Sequence, residues 1–336
     1  MQKRVGFLGI ALAMLCLCGV LWAGTSEVDE QLMARRRLFP AIGPGLRALR
    51  HSANGNYYVL ASPSVGVVVF DASGQQLTTI GASPETSSAN KANSAPIAFG
   101  EDCDVDTQGN IYVADRAGNR VVVFSQDGKM LRTFAVNSPV SLAALPDGEV
   151  AVATLQQTHL VTVYGLTGKI VREFGELESV SSRADLERFA NVGRVASDPQ
   201  GHLYYGFTYM PEPLVRQYDR FGYAGQSFEF TGLDAYSEAS ATRKEIERQE
   251  ARNTPPLLHP ILTAFGVDTV NGDVWMGLHN TLVHFDKDGN RQSEYQVYTA
   301  RGARIEASVI LVEENRLLIG SDPLGVYEFQ RPDRKR

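Results

Sequence analysis

Three carboxylates lie close together at Glu101, Asp102 and Asp104. Clustered carboxylates can hold Ca²⁺, a hard cation that takes about six to eight oxygen ligands. The three precede the first strand of a sequence repeat described below, which would place them at the mouth of a central channel. A solvated acidic loop is the favoured alternative, because the equivalent positions of other repeats bring no second carboxylate. Those positions are Ser141, Arg194 and Ala264. We therefore expect no cofactor, with Asp102 and Asp104 as weak candidates for a Ca²⁺ site.

The histidines are a second source of chemistry. A catalytic zinc needs about three protein ligands that converge on an open site, and no histidine here has the spacing of such a set. The six are His51, His159, His202, His259, His279 and His284. The sequence also has no nucleophile-elbow, phosphate-loop or paired-carboxylate signature. We predict no catalytic residues.

A further polar group, Asp115 with Asn119 and Arg120, flanks a short turn. These side chains could grip a ligand carboxylate or the backbone of a partner. The favoured interpretation is structural, because Asp115 and Arg120 belong to the repeat pattern and can order their own turn.

The loop 207–213, Phe-Thr-Tyr-Met-Pro-Glu-Pro, is more apolar than its counterparts in the other repeats. An exposed Tyr-Met-Pro loop suits contact with a partner protein or a sugar, and packing against a later insert fits the sequence equally well. For the binding surface we select five residues that should gather at one face of the fold. They are Asp102, Arg116, Arg194, Tyr209 and Glu212.

Two glycine turns mark the repeat that positions these residues. The first glycine separates the first and second strands of a copy, and the second glycine, 17 to 21 residues later, separates the third and fourth strands. The first set is Gly55, Gly109, Gly148, Gly201 and Gly272, and the second set is Gly74, Gly128, Gly168, Gly222 and Gly289. Glycine suits such turns because it accepts positive φ. Asn315 takes the first place in the sixth copy, and asparagine tolerates the same region.

Short β-rich segments fill the spaces between the turns, such as 110–114 and 121–124 in the second copy. Four strands bounded by turns form an antiparallel meander, and such a sheet needs further copies of itself to bury both faces. The sixth copy ends after its third strand. We predict that residues 37–42 supply the missing outer strand, so that the two chain ends close a ring and remove exposed edges.

The segment 109–134 resembles an NHL repeat. It contains Gly-Asn-Ile-Tyr-Val-Ala-Asp, then Asn-Arg and Val-Val-Val-Phe, in the order and spacing typical of that family. The span 37–330 is similar to six-bladed NHL-type β-propellers, and we expect an exported bacterial member. The resemblance implies an all-β fold of six four-stranded antiparallel blades with one or two short helical insertions. It implies little about activity, because propellers host many unrelated functions.

Three inserts interrupt the repeats, at 81–96, 176–190 and 231–260. The second contains a short helical segment at 182–189. The third has opposite charges at helical spacing until Pro255 stops the pattern. Each insert joins the fourth strand of one repeat to the first strand of the next. The inserts should therefore share one face of the propeller, where we place the binding surface.

The first 23 residues form a targeting segment. Lys3 and Arg4 precede an apolar run from Val5 to Ala23, which is typical of a cleaved signal peptide or an uncleaved N-terminal anchor. Both predict export of the body, as a periplasmic or secreted protein. The remainder divides into a mobile acidic leader (24–36), the propeller (37–330) and a charged tail (331–336).

Cys103 is the only cysteine left after cleavage, so no internal disulfide can form, and we expect it to be buried.

Together these features favour a non-catalytic binding or scaffold module for a protein, peptide or glycan at the insert-bearing face. The net charge of −6 argues against a nucleic-acid partner, and membrane contact would come only through an uncleaved N-terminal segment. The alternative is a metal-dependent lactonase, hydrolase or lyase with its site at the channel. Lactonase-like and amidating-lyase-like propellers carry metal ligands on channel-facing loops, and this sequence matches neither residue by residue.

Overall fold

The computed structural model describes residues 30–61, 66–82, 97–231 and 233–332, with the backbone alone for residues 233–236. The predicted targeting segment (1–23), the last four residues of the predicted tail and most of the first insert lie outside these ranges.

Strands in the described chain form six sheets that are arranged as the blades of a ring. Two short strands come first, β1 (Glu30–Met33) and β2 (Arg36–Leu38). Blade 1 contains β3 (Leu46–His51), β4 (Tyr57–Ala61), β5 (Val67–Phe70) and β6 (Gln76–Ile80). Blade 2 contains β7 (Gly100–Val105), β8 (Ile111–Asp115), β9 (Arg120–Phe124) and β10 (Met130–Ala135). Blade 3 contains β11 (Pro139–Ala144), β12 (Val150–Thr154), β13 (Val161–Tyr164) and β14 (Ile170–Phe174).

The helix α1 (Ala184–Ala190) precedes blade 4, which contains β15 (Gly193–Ser197), β16 (Leu203–Phe207), β17 (Leu214–Tyr218) and β18 (Ala224–Glu229). The longer helix α2 (Leu233–Arg252) precedes blade 5, with β19 (Ala264–Val267), β20 (Val274–Leu278), β21 (Thr281–Phe285) and β22 (Arg291–Tyr298). Blade 6 contains β23 (Val309–Val312), β24 (Arg316–Ser321) and β25 (Gly325–Gln330). The first strands of neighbouring blades contact one another around the axis. The predicted six-bladed β-propeller is confirmed.

The N-terminal segment closes the ring. β2 pairs antiparallel with β25 and becomes the outer strand of blade 6, with Arg36 opposite Glu328. The predicted donor strand therefore exists, but it ends at Leu38 and does not run through residues 37–42. β1 adds a fifth strand to blade 5 by pairing in parallel with β22. Residues 30–33, which we expected in a mobile leader, are thus part of the sheet.

Glycine turns join the strands as the repeat predicts. All ten marker glycines have positive φ, between 74° and 96°. In blade 2 the turn closes through a hydrogen bond from the Gly109 amide to the Asp106 carbonyl (3.0 Å). The prediction for Asn315 is wrong, because its φ is not positive. That turn is one residue shorter, closing from the Glu313 amide to the Arg316 carbonyl, and so it does not need the left-handed residue.

The hydrophobic core lies between neighbouring blades. The second strands β4, β8, β16 and β20 are buried along their whole length. Tyr112 and Val121 of blade 2, for example, pack against Leu142 and Val152 of blade 3. Cys103 is fully buried in the interface between blades 1 and 2, as predicted, and burial raises the pKa of its thiol. Blade-to-blade packing of this kind fixes the inner strands, which carry the candidate site.

The second and third inserts form a helical cap. Leu186 and Ala190 of α1 pack against Ile246 of α2 and against Leu258. The Glu250 carboxylate of α2 accepts hydrogen bonds from the segment before α1, including the Ser182 amide (2.8 Å). Among the described residues, no helix is both long and apolar enough to span a membrane.

Candidate functional site

The chain path assigns each loop to one of two faces. The inserts connect outer strands to inner strands, so they lie at the same end of the blades as the turns between second and third strands. We call this end the insert face. The turns between first and second strands lie at the opposite end, which we call the turn face. Inner strands therefore run from the insert face to the turn face, and early residues in each inner strand lie near the insert face.

Asp102 lies inside the channel wall and ties three blades together. Its carboxylate accepts a hydrogen bond from Arg50 of blade 1 (2.9 Å) and one from the Ser141 hydroxyl of blade 3 (2.6 Å). It also accepts from the backbone amides of Cys103 and Leu142. The residue is 1% exposed. Both sequence interpretations placed these carboxylates before the inner strand, either in a solvated loop or in an open cluster. This placement is wrong, because the carboxylates belong to the inner strand β7.

Asp104 interacts with the same guanidinium group, that of Arg50. Its carboxylate lies 3.4 Å from Arg50 Nε and accepts a hydrogen bond from the Ala144 amide (2.8 Å). Burial raises the pKa of Asp104, and Arg50 opposes that shift. A divalent cation at this position would have to displace Arg50. Within the described ranges no group of three or more His, Cys, Asp or Glu side chains is placed to hold a metal, and Ca²⁺ binding stays a prediction.

A cavity of about 580 Å³ occupies the channel toward the turn face. The ends of the inner strands and the turns that follow them form its wall, which includes Asp104, Asp106 and Asp198. Asp106 and Asp198 accept hydrogen bonds from backbone amides of their own turns. The carboxylates in the cavity wall therefore serve mainly to stabilise the inner strands and their turns.

The channel opening at the insert face is built differently. Glu101 pairs with Arg47 of blade 1 and with Arg116, whose Nη1 lies 2.9 Å from its carboxylate. The same two guanidinium groups lie over the ring of Phe99, with Arg47 at 4.6 Å and Arg116 at 5.0 Å from the ring centroid. Cation–π contacts and the ion pairs with Glu101 together restrict the orientation of both arginines.

Arg194 reaches across the channel to this group. It comes from β15 of blade 4, and its guanidinium donates to the backbone carbonyl of Arg47 in blade 1 (3.0 Å). Blades 1 and 4 face each other in a six-membered ring, so the side chain spans the channel and separates the cavity from the opening. In the described part of the chain Arg194 has no carboxylate partner.

Tyr209 forms the opposite wall of the opening. Its ring packs on Phe189 with centroids 4.8 Å apart, within the apolar cluster of the helical cap. Burial raises the pKa of Tyr209, while the nearby charges of Arg194 and Arg116 lower it and that of Glu101 raises it. No residue in the described ranges hydrogen-bonds its hydroxyl. We call Arg47, Phe99, Glu101, Arg116, Arg194 and Tyr209 the mouth cluster.

Three of the five predicted binding residues, Arg116, Arg194 and Tyr209, thus come together in the mouth cluster. Asp102 lies beneath it as a structural residue. Glu212 points to the helical cap, where it pairs with Arg243 of α2. The loop 207–213 therefore packs against the third insert, as one of the two sequence interpretations had it.

Arg47 and Phe99 were missed as binding candidates, and Glu101 was named only as a member of the carboxylate cluster that could hold Ca²⁺. Arg47 and Glu101 occupy equivalent β-bulges, where the register of the inner strand shifts between Leu46 and Ala48 and between Gly100 and Asp102. A bulge adds one unpaired residue and re-aims its side chain. The repeat spacing gave no signal of these bulges.

The turn of Asp115 is structural, as favoured. Its buried carboxylate accepts from the amides of Ala98 and Phe99 and pairs with Arg120 (2.9 Å). Asn119 adopts a positive φ and accepts a hydrogen bond from the Ser138 amide. The Asp115 carboxylate holds the backbone of Phe99 in place, and so this turn positions the mouth cluster indirectly.

Several histidines pair with separate carboxylates, and no three converge in the described chain. His51 lies 2.9 Å from Glu313, His202 lies 2.7 Å from Asp198, and His284 lies 3.1 Å from Asp273. Although burial opposes it, hydrogen bonds from His51, Arg316 and Tyr57 lower the pKa of Glu313 to about 2.

Comparison with solved structures returns propellers of diverse function. A streptogramin B lyase aligns with a TM-score of 0.54 at 11% identity over 89% of this chain and 87% of that chain. U3-55K aligns with a TM-score of 0.55 at 11% identity, covering 88% of this chain and 98% of the other. Hydrazine synthase of Kuenenia stuttgartiensis aligns with a TM-score of 0.52 at 10% identity, covering 92% and 98%. At such identities the similarity establishes the propeller fold alone.

No protein-family model matches the chain, and no curated protein matches it.

Proposed function

We propose that this protein is an NHL-type binding propeller that captures a protein, peptide or glycan partner at the insert face. The observation that carries the proposal is the mouth cluster, in which side chains from blades 1, 2 and 4 converge on one opening. Its arginines are held in fixed orientations, which reduces the entropy lost when a partner binds. The helical cap raises one wall of the opening and adds contact surface.

The channel residues support a binding role over catalysis. Asp102 accepts four hydrogen bonds, and Arg50 is committed to two carboxylates. A general base needs an accessible lone pair within hydrogen-bond reach of the substrate. Contacts between strands already use most of these lone pairs, so the side chains stabilise the packing of the blades.

Photocrosslinking tests the location of the binding surface. A photoreactive residue at Ala117, on the exposed turn beside Arg116, should form a specific adduct with the partner in the native host extract. The same residue at Gln108, at the turn face of the same blade, is the matched control and should form none. The Arg116→Ala/Arg194→Ala variant should lose the adduct at position 117. Equal adducts at both positions, or an adduct unchanged in the double variant, would contradict the proposal.

Metal content separates this proposal from the metal-dependent lactonase, hydrolase or lyase. Native mass spectrometry of the exported, unchelated protein reports the mature N-terminus and any bound ion together. A metal-free mass that starts near residue 24 would agree with export and with a binding propeller. A stoichiometric Ca²⁺ or Zn²⁺ that EDTA removes would favour the enzyme and direct attention to Asp102 and Asp104.

A further inference from the structure

The mouth cluster carries an excess of positive charge. It contains three arginines, Arg47, Arg116 and Arg194, and one carboxylate, that of Glu101, which pairs with Arg47 and Arg116. Asp102 does not reduce this excess, because it is paired with Arg50 one layer deeper. Arg194 donates to a backbone carbonyl and leaves its remaining N–H groups without a carboxylate among the described residues. A guanidinium offers five donors in a planar fork that matches a carboxylate.

We propose that the mouth cluster is an anion site that takes a side-chain carboxylate of an acidic peptide segment. Arg194 would hold the carboxylate from the channel side and Arg116 from the rim, and the Tyr209 hydroxyl would donate the third hydrogen bond. The inference rests on the proposed function, because it names the ligand chemistry of the same surface.

The aromatic faces favour a peptide over a glycan. Sugar rings bind proteins by stacking on open aromatic faces, and both rings of the mouth cluster already contact other side chains. Two guanidinium groups lie over the ring of Phe99, and Tyr209 packs on Phe189. Recognition at this opening therefore depends on charge and hydrogen bonding.

Glu101 acts as an internal competitor for the ligand. Its carboxylate already neutralises Arg47 and Arg116, the same groups that an incoming carboxylate would use. Removing its charge should strengthen anion binding, whereas removing the charge of Arg194 should weaken it. If the cluster only maintained the shape of the opening, both variants would weaken binding of the anion. A gain of affinity in one variant and a loss in the other would therefore identify a direct role in binding.

Fluorescence anisotropy with a labelled hexaglutamate peptide at low ionic strength tests the inference, with hexaglutamine as the uncharged comparison. The wild-type protein should bind hexaglutamate and not hexaglutamine. Arg194→Gln should weaken binding by about ten- to a hundredfold, the usual effect of losing a charged hydrogen bond. Glu101→Gln should strengthen binding several-fold, and Arg220→Gln, which removes an exposed arginine at the turn face, should change nothing. Thermal melting of each variant confirms that the fold is intact.

Equal affinity for both peptides, or weaker binding in Glu101→Gln with unchanged melting, would overturn the inference. Tighter binding of an oligouronate than of hexaglutamate would overturn the assignment to a peptide. The outcomes separate from those of the proposed function. A specific adduct at position 117 without hexaglutamate binding would support the binding propeller and contradict the anion site. Hexaglutamate binding without a specific adduct would support the anion site and contradict the proposed partner surface.

Discussion

Replacing Asp102 by alanine should destabilise the propeller strongly. The change removes one of the two carboxylates that neutralise the partly buried Arg50 guanidinium, and it leaves the Ser141 hydroxyl and the amides of Cys103 and Leu142 without this acceptor. Breaking a buried ion pair costs about 3–5 kcal/mol. Asp104 still faces Arg50, which lowers the cost, while the three orphaned donors add about 1–3 kcal/mol each. We expect a loss of at least about 3 kcal/mol in the free energy of unfolding.

Urea and thermal denaturation followed by circular dichroism measure this loss. A loss of about 3 kcal/mol should lower Tm by roughly 5 °C in a domain of this size. Asp147→Ala removes the same charge from an exposed turn of blade 3, and it should stay within about 0.5 kcal/mol of wild type. Because Ser141 also accepts from the Val195 amide of blade 4 (3.0 Å), Asp102→Ala and Ser141→Ala should be non-additive. A loss below about 1 kcal/mol for Asp102→Ala would refute the idea that this carboxylate ties the blades together.

Three further outcomes follow from single contacts. Because the pKa of Glu313 in the folded protein is lowered to about 2 from its ordinary 4.5, its contribution to stability is present above pH 4.5 and is lost as pH falls toward 2; Glu313→Gln should flatten acid unfolding curves in that window. Gly168→Ala should cost about 1–3 kcal/mol, because φ is 74° and a Cβ would lie 2.5 Å from Phe134, whereas Gly43→Ala meets no atom within 4 Å and should be neutral in urea unfolding. The Cys103 thiol should resist iodoacetamide in the native protein and react after unfolding, as read by mass spectrometry; labelling of the native state would contradict its burial.

Much of the fold could be predicted from the sequence, because the repeat constrains the backbone locally. A left-handed turn between antiparallel strands needs glycine, so each marker glycine such as Gly109 or Gly168 reports a backbone conformation directly. Asn315 shows the limit of that argument, since one deleted residue changed the turn. The leader was misjudged for a related reason. Its strand β1 is stabilised by pairing with β22, a tertiary contact that no local pattern records.

The candidate site was predictable only in part. Arg116 and Arg194 lie at positions where the repeat register holds, and their convergence follows from the ring. Arg47 and Glu101 lie at β-bulges, where one additional residue redirects the side chain into the opening. Register shifts of this kind depend on how the inner strand packs between its neighbours, and the spacing of the turns does not reveal them.

The asymmetry of the inner strands argues for where a partner binds. One equivalent position in the six blades holds Ala48, Asp102, Ser141, Arg194, Ala264 and Val309, as the pairing register shows. Blades 1, 5 and 6 place small or apolar residues there, while blades 2, 3 and 4 place polar ones. Asp102 and Ser141 satisfy each other and the neighbouring strands. Arg194 completes no such pair, and it extends toward the opening beside the helical cap. Although Arg194 donates to the Arg47 carbonyl across the channel, no carboxylate among the described residues neutralises its charge. An inner-strand charge without such a partner is the feature that best marks the surface where we propose that a ligand binds.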